Sequence, residues 1–488
     1  MLFHSIDFVI FFPIVVLGFF LIPEKWKNLW LLIASYYFYM NWNAKYALLL
    51  FGASAITYAG ALLIDRINGH PKKQKMVLVV ALVIIFACLG YYKYTNFMIQ
   101  TINRLAVDFG YSLEIPKFDI ILPVGISFFT FQAAGYLIDV YRGDVEVERN
   151  PFRYLLFVSF FPQLVAGPIE RSKNLLRQMY HHAAFDSERA RHGLCIMLWG
   201  YFLKLVIADR CAVIVDSVYS QYETHGFALL FLAAVCFSIQ IYCDFMGYST
   251  IARGAALVLG YELMDNFHQP YFATSIQEFW RRWHISLSTW FKDYLYIPLG
   301  GNRCSKFRHY VNLMITFLVS GLWHGASWAF VAWGGMHGLF QIIGSIVKPA
   351  RVGLEKMLHI PTESWPVKLV RMLWTDLLVV FAWIFFRTES MYYALHYIRQ
   401  MITGGLRWNE MVDGTFYNQG LNPFHTLILV ISLLLLLGYS ILREKQVSVY
   451  DWLVKQPVLV RYGVYWGFSI LITFSLSLTG QEFIYFQF

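Results

Sequence analysis

The chain has 488 residues, of which 58% are hydrophobic and only 14% are charged. Soluble proteins carry about 25% charged residues, so this chain has too few charges to cover a water-exposed surface, and a membrane protein is predicted. The formal net charge of +9 does not indicate a nucleic-acid partner, because the basic residues stand in short clusters between apolar runs, as in loops that fix membrane topology.

Apolar runs long enough to cross a bilayer recur from one end of the chain to the other. At about 20 residues a span, they predict an all-α polytopic membrane protein with roughly 10 to 12 transmembrane helices. The runs lie near residues 7–23, 28–42, 46–64, 76–92, 121–141, 152–166, 193–218, 227–259, 311–346, 368–386, 424–442 and 463–480. The run 311–346 is long enough either to cross twice or to break into two half-helices at its central glycines. We expect one membrane domain over residues 1–488.

Positive charges near the first runs predict the orientation of the chain. Lys25 and Lys27 follow the first run, and a basic loop at residues 66–75 follows the third. Almost no positive charge precedes the first run or lies between the second and the third. By the positive-inside rule, the N-terminus is therefore expected outside the cell and the 66–75 loop in the cytoplasm.

Polar residues gather in the segment after the run 227–259. Ser275 and Glu278 have the spacing of a capping box, which predicts that a helix begins there and continues to Pro298. On such a helix one basic face, suited to a polar cavity or the membrane interface, carries Arg281, His284, Ser288 and Lys292. Alternatively, Arg281 and Arg282 extend to lipid headgroups, and His284 is a hydrogen-bonded structural histidine.

His324 lies in an apolar run that carries no Lys, Arg, Asp or Glu between Tyr310 and Gln341. An ionisable side chain at membrane depth is costly and is a functional candidate by default. In an apolar site a histidine stays neutral and can accept a proton, as a general base must. Gly321 and Gly325 flank His324 and would allow another backbone or a substrate to approach closely.

Two further polar residues within apolar runs are weaker candidates. His337 stands in the sequence GGMHG, and a structural role explains it better than a catalytic one. Asp244 lies within the run 227–259, where a carboxylate is expensive to bury, and pairing with an arginine such as Arg253 is the structural alternative. The sequence offers no ligand cluster with the spacing of a metal site, so we expect none.

Several of these motifs resemble those of a known family. FWRRWHISLSTW at 279–290 and SGLWHGASW at 320–328 are similar to signatures of the membrane-bound O-acyltransferases. DYLYIPLGGNR at 293–303 narrows the resemblance to the bacterial branch of the alginate O-acetylase membrane proteins. FPQLVAGPIER at 161–171, IQIYCDFMGYSTIARGAA at 239–256 and NFHQPYFA at 266–273 resemble the same branch. The resemblance implies interfacial or re-entrant helices around a central catalytic tunnel, with a catalytic core at about 120–345.

The resemblance also implies roles for individual residues. His324 matches the essential histidine of the family, and His284, 40 residues earlier, matches its partner position. A polar helix lining the catalytic cavity is matched by Asp244, Tyr248 and Ser249. A structural or tunnel-lining motif is matched by Gln163, Gly167, Pro168 and Glu170. Substrate or acyl-donor binding is the implied role of Arg281, Arg282, Ser288, Lys292, Asn302, Arg303, Trp323 and His337, with Lys306 and Arg308 as further attractors of phosphates.

The implied reaction is O-acyl transfer, expected to be acetyl transfer, in a bacterial cell membrane. The acyl donor would be a cytoplasmic thioester, acetyl-coenzyme A or another acyl carrier, with no bound cofactor. His324 would take the proton of the acceptor hydroxyl, and His284 would orient the thioester or stabilise the oxyanion. An extracytoplasmic SGNH-like acetyltransferase would pass the acetyl group to an extracellular or cell-wall polysaccharide. Alternatives are D-alanyl transfer to teichoic acids, lipid or protein acylation, and a proton-coupled transporter, for which inverted repeats are expected and none is seen in the sequence.

Overall fold

A computed structural model describes residues 1–165 and 167–476, and in this part the protein is mainly helical and has no β-strand. Among these residues, seven helices are long and apolar enough to cross a membrane. They are Ala44–Arg66, Pro71–Asp108, Phe227–Val258, Trp328–Met357, Trp365–Arg387, Pro423–Glu444 and Val458–Ser475. The predicted all-α polytopic fold is confirmed. Other predicted runs form shorter or interrupted helices, and the last one, 463–480, ends outside the described residues.

In chain order, the α-helices of the described residues are α1 (Ile6–Leu21), α2 (Lys27–Met40), α3 (Ala47–Arg66), α4 (Pro71–Asp108), α5 (Ile126–Arg142), α6 (Pro151–Ser159), α7 (Phe161–Leu164), α8 (Ser187–Tyr201), α9 (Asp209–Ser220), α10 (Phe227–Val258), α11 (Ile276–Arg282), α12 (Ile285–Phe291), α13 (Lys306–His324), α14 (Trp328–Met357), α15 (Trp365–Arg387), α16 (Met391–Thr403), α17 (Pro423–Glu444), α18 (Val449–Val454) and α19 (Val458–Ser475). π-Helical turns lie at Ser172–Leu176, Phe202–Ala208 and Lys292–Tyr296.

Two compact units divide the chain. The first unit comprises residues 1–197 and 249–264, and the second comprises residues 198–248 and the chain from Asp265 onwards. In the first unit, α5 is buried along most of its length. Helix α3 packs against α5. A buried hydrogen bond of 2.7 Å between Thr57 Oγ1 and the Tyr154 hydroxyl connects α3 to α6. The predicted single domain over the whole chain stays a prediction.

In the second unit, the long apolar run 311–346 breaks into α13 and α14, and whether it crosses the membrane twice stays a prediction. The break falls at Gly325–Ser327, and the Ser327 side chain caps α14 by accepting a hydrogen bond from the Ala329 amide. The two helices approach so closely that a Cβ on Gly321 would lie 2.3 Å from the Phe330 carbonyl oxygen. Gly321 therefore allows the close approach of another backbone, as its position suggested.

The single helix predicted between Ser275 and Pro298 is wrong. Ser275 does begin α11, by accepting a hydrogen bond from the Glu278 amide, but α11 ends at Arg282. Trp283 is extended, and His284 has φ +43° and ψ +55° before α12 begins. The basic residues before and after this break therefore do not form one helix face.

Tertiary hydrogen bonds explain the break. In a continuous helix the Ser286 amide would donate to the Arg282 carbonyl. Instead it donates to Asn266 Oδ1 at 3.2 Å, and the Arg282 carbonyl accepts from the His268 amide at 2.9 Å. The Ile285 amide donates to the Asn266 carbonyl at 2.9 Å. Residues 266–268 thus replace the helical partners that the break removes.

Candidate active site

His284 is held at the junction between α11 and α12 by the side chain of Asn266. His284 Nδ1 lies 3.2 Å from Asn266 Oδ1, which also accepts from the Ser286 amide at 3.2 Å and the Ser286 hydroxyl at 2.9 Å. A backbone amide can only donate, so the amide atom of Asn266 that faces it is the oxygen. His284 Nδ1 therefore carries the hydrogen and donates, and in the neutral ring Nε2 keeps the lone pair.

The conformation of His284 is unusual for a residue with a side chain. Its left-handed backbone is sparsely populated by residues other than glycine and costs about 1–3 kcal/mol, which the surroundings must offset. The side chain is fully buried, with the ring of Phe245 edge-on at 4.6 Å. Burial among aromatic rings disfavours a positive charge on the imidazole. The ring is therefore neutral over the physiological pH range.

His324 is the last residue of α13 and is 4% exposed. Three aromatic rings surround its imidazole, with centroids at 4.9 Å for Trp323, 5.0 Å for Trp333 and 5.4 Å for Phe386. Gly325, which follows it, is extended and donates its amide to the Gly321 carbonyl. The close crossing of α13 and α14 thus sets the position of His324 at the end of its helix.

The fold brings the two histidines together although 40 residues separate them in the chain. Their ring centroids are 6.3 Å apart and the planes meet at 61°. Trp323 lies beside both rings, 6.0 Å from His284 and 4.9 Å from His324. Two imidazoles at this separation are close enough to cooperate in the proton transfer that acyl chemistry requires.

His337 lies in α14, one turn beyond Trp333, and is fully buried. Trp280 Nε1 donates a hydrogen bond of 3.2 Å to His337 Nδ1, so the neutral ring carries its hydrogen on Nε2. The ring of Trp333 lies 5.0 Å from His337 and 5.0 Å from His324. His337 thus contacts the same tryptophan as His324, from another position on α14.

Asp244 belongs to a buried ionic cluster. Lys204 Nζ lies 2.8 Å from Asp244 Oδ1 and 2.9 Å from Asp209 Oδ1, with all three side chains almost inaccessible. Lys204 stands in the π-helical turn after α8, and Asp244 lies in α10. Lys204 was not among the predicted site residues, although a lysine within the apolar run 193–218 was an available signal. Tyr248 and Ser249 follow on α10 and are also buried.

The residues predicted to bind the acyl donor fall into two groups, those whose side chains are engaged within the protein and those whose side chains are exposed. Arg282 is engaged in ion pairs of 2.7 Å with Glu278 and with Glu444 at the end of α17. The Ser288 hydroxyl donates to the Trp283 carbonyl at 3.2 Å. Exposed side chains are those of Arg281, Lys292, Asn302, Arg303, Lys306 and Arg308. Arg282 therefore acts as a link between α11 and α17, while the exposed group can attract an anion.

In the first unit, the residues predicted to be structural or to line a tunnel form hydrogen bonds with the backbone or with neighbouring side chains. Gln163 Nε2 donates to the Phe157 carbonyl at 2.8 Å, and Glu170 accepts from the Asn174 amide group at 2.7 Å. A Cβ on Gly167 would lie 2.3 Å from Gln163 Cα, so only glycine fits there. Over the described part of the chain, no group of three His, Cys, Asp or Glu side chains is placed to hold a metal ion.

Asn266 is the site residue that reasoning from the sequence missed. It appeared only within the run NFHQPYFA, as part of a resemblance. Its partners His284 and Ser286 are 18 and 20 residues away, and no helical or strand periodicity connects positions at that spacing. Only the tertiary fold makes the pairing visible.

Comparisons with known proteins identify related membrane enzymes. The model of the membrane-bound O-acyltransferase family matches residues 145–352, which include both histidines. The chain is 39% identical over 407 residues to the probable alginate O-acetylase AlgI of Pseudomonas aeruginosa, covering 83% of this chain and 75% of that protein. It is 35% identical to the peptidoglycan O-acetyltransferase of Helicobacter pylori, over 80% of this chain and 78% of that protein.

A more distant similarity extends to a protein named for another activity. The teichoic acid D-alanyltransferase of Streptococcus thermophilus is 29% identical over 53% of this chain and 64% of that protein. Both identity and coverage are lower than for the two O-acetylating relatives. The family model matches this chain, and the chain in turn matches the alginate O-acetylase relative over most of that protein's length. This chain therefore belongs to the membrane-bound O-acyltransferase family.

Proposed function

We propose that this membrane acyltransferase moves an acetyl group from a cytoplasmic thioester to a hydroxyl on the outer side of a bacterial cell membrane. The observation that carries the proposal is the pairing of His284 and His324, at 6.3 Å between ring centroids, within the segment matched by the family model. Relatives named for acetylation of alginate and peptidoglycan support acetyl as the acyl group. A polysaccharide of the cell envelope is the final acceptor in this proposal.

His324 is the general base of the proposed reaction. It accepts the proton of the acceptor hydroxyl as that oxygen bonds to the acyl carbon. The carbon–sulfur bond then breaks, its electron pair stays on sulfur, and the leaving thiolate receives the proton from His324. The aromatic rings around His324 exclude water, which protects the thioester from hydrolysis and strengthens electrostatic interactions in the site.

The acyl donor is proposed to be acetyl-coenzyme A or another acyl carrier. Exposed basic residues of the segment 281–308, such as Arg281 and Arg303, would attract its phosphates. The acceptor hydroxyl would arrive from the outer face through a tunnel, and an SGNH-like partner would carry the acetyl group to the polymer. The N-terminus is proposed to lie outside the cell and the 66–75 loop in the cytoplasm.

Deletion of the gene tests the proposed function. Cells without it should lose ester-linked acetate from an envelope or secreted polymer, measured as acetate released by mild alkali. Wild-type protein should restore the ester, and His324→Ala at equal membrane abundance should not. Loss of ester-linked D-alanine instead would favour the activity of the more distant relatives and would contradict acetyl as the acyl group.

A further inference from the structure

We infer that Asn266 is a positioning residue, which fixes His284 as a hydrogen-bond acceptor for His324 instead of a donor to the oxyanion. The inference rests on the proposed function and assigns the part that His284 plays in it. It concerns one hydrogen bond, from His284 Nδ1 to Asn266 Oδ1 at 3.2 Å.

The orientation of the Asn266 side chain is determined by its other contacts. The Ser286 amide and the Ser286 hydroxyl both donate to Asn266 Oδ1. The Asn266 carbonyl accepts from the Ile285 amide, so the asparagine is tied to the helix junction by its backbone as well. An amide flipped by 180° would place its NH2 group against the Ser286 N–H, and two donors would face each other. Asn266 therefore offers His284 a fixed acceptor.

This fixed acceptor decides what His284 can do. Its Nδ1 carries the only hydrogen of the neutral ring, and Nε2 keeps a lone pair. To donate from Nε2 to an oxyanion, the ring would have to be protonated, and its burial among aromatic rings opposes that charge. His284 Nε2 can, in contrast, accept a hydrogen bond without any change of protonation.

His324 is the group that needs such an acceptor. When it takes the hydroxyl proton it becomes an imidazolium ion, surrounded by Trp323, Trp333 and Phe386. A buried cation is costly unless a hydrogen-bond acceptor faces it. The ring centroids of His284 and His324 are 6.3 Å apart, and catalytic hydrogen bonds that are long in the free enzyme commonly tighten when substrate binds. His284 would then stabilise the imidazolium and orient the His324 ring.

Three single variants test the part played by Asn266. Asn266→Leu keeps the shape but removes the acceptor, and should lower transfer per folded molecule about 10- to 100-fold, as expected when a buried donor loses its partner. Asn266→Asp keeps an oxygen for all three donors, but its negative charge favours a protonated His284 whose Nε2 can no longer accept, so it should retain less transfer than the Ser286→Ala control. Ser286→Ala, a matched control, removes one donor from the same oxygen and should stay within about threefold of wild type, because the backbone amide still orients Asn266.

A double-mutant cycle separates positioning from a purely structural role. His284→Gln places an acceptor oxygen near the site of Nε2 and has no tautomer to fix, so it should keep more transfer than His284→Asn. If Asn266 acts through the His284 tautomer, Asn266→Leu should cost less than about threefold in the His284→Gln background. An equal cost in both backgrounds would overturn the inference, and so would a His284→Asn variant more active than His284→Gln.

The readout keeps this test distinct from that of the proposed function. Transfer is measured as the ester-linked acyl group that alkali releases from the polymer of intact cells, divided by the membrane abundance of each variant. Whether that group is acetate or D-alanine reports on the proposed function, whereas the ratios among the variants report on Asn266. Asn312→Leu, which removes another buried asparagine from the same unit, measures how far loss of a buried amide alone lowers abundance.

Discussion

The crossing of α13 and α14 makes a sharp prediction at Gly334. A Cβ added there would lie 2.2 Å from the Phe317 carbonyl oxygen and 3.1 Å from Gly321 Cα, both in the backbone of α13. Backbone atoms cannot move aside as a side chain can. Gly334→Ala should therefore push α13 away from α14 by about 1 Å, since an ordinary carbon–oxygen contact is about 3.4 Å or longer.

Two effects follow from that displacement. Overpacking of a close contact typically costs about 1–3 kcal/mol of stability. His324 terminates α13, so it would move relative to His284, and a misplacement of about 1 Å can lower a reaction rate about 10²-fold. We expect Gly334→Ala to lower the thermal midpoint in detergent and to reduce acyl transfer per molecule by one to two orders of magnitude.

The neighbouring glycine provides a matched control. A Cβ on Gly335 would meet only the Leu318 Cδ2 methyl, at 3.4 Å. Both substitutions gain the same helix propensity, about 1 kcal/mol, so the difference between them isolates the contact with Phe317. Gly335→Ala should be at least as stable as the wild type and equally active. The reasoning would be refuted if Gly334→Ala matched Gly335→Ala within about twofold in transfer and had the same thermal midpoint.

Three further predictions concern the base, an ion pair and the topology. His324→Asn should be as inactive as His324→Ala, with transfer reduced about 10²–10⁴-fold, because an amide cannot take the proton; near-normal acylation by His324→Asn would place the base elsewhere. Arg282→Met should lower the thermal midpoint, since its two carboxylate partners lose their cation, whereas Arg281→Met at an exposed position should leave it unchanged; equal shifts would contradict the linking role. With reactive native cysteines removed, a cysteine at the exposed position 7 should react with an impermeant maleimide in intact cells, and one at the exposed position 70 only after permeabilisation; the reverse result would invert the orientation.

Local sequence patterns predicted several features correctly. Ser275 and Glu278 marked the beginning of α11, because a capping box satisfies amides that the first helical turn leaves open. The glycines around His324 marked both the break in the run 311–346 and the close approach of two backbones. Such features depend on residues within a few positions of each other, so the sequence alone carries the information.

The break at Trp283 and His284 could not be predicted in the same way. Nothing in the local pattern opposes a helix from 275 to 297, and the interruption arises because residues 266–268 take the hydrogen bonds of Arg282 and Ile285. Tertiary contacts of this kind override helix propensity, which is worth less than about 1 kcal/mol per residue for residues other than proline. The position of the partner histidine was therefore predicted, but its strained backbone and the asparagine that holds it were not.

Buried polar groups of the second unit are paired between segments that are distant in the chain. Lys204 binds Asp244 of α10, and Trp280 of α11 donates to a histidine of α14. Asn266 and His284 pair across the helix break. Because an unpaired polar group at bilayer depth costs several kcal/mol, each pair constrains how its two segments can pack. Paired in this way, the buried polar residues hold the site in a rigid, preorganised arrangement. Because the site is rigid, a displacement of α13 caused by one methyl group at Gly334 should change the position of His324 and lower the reaction rate.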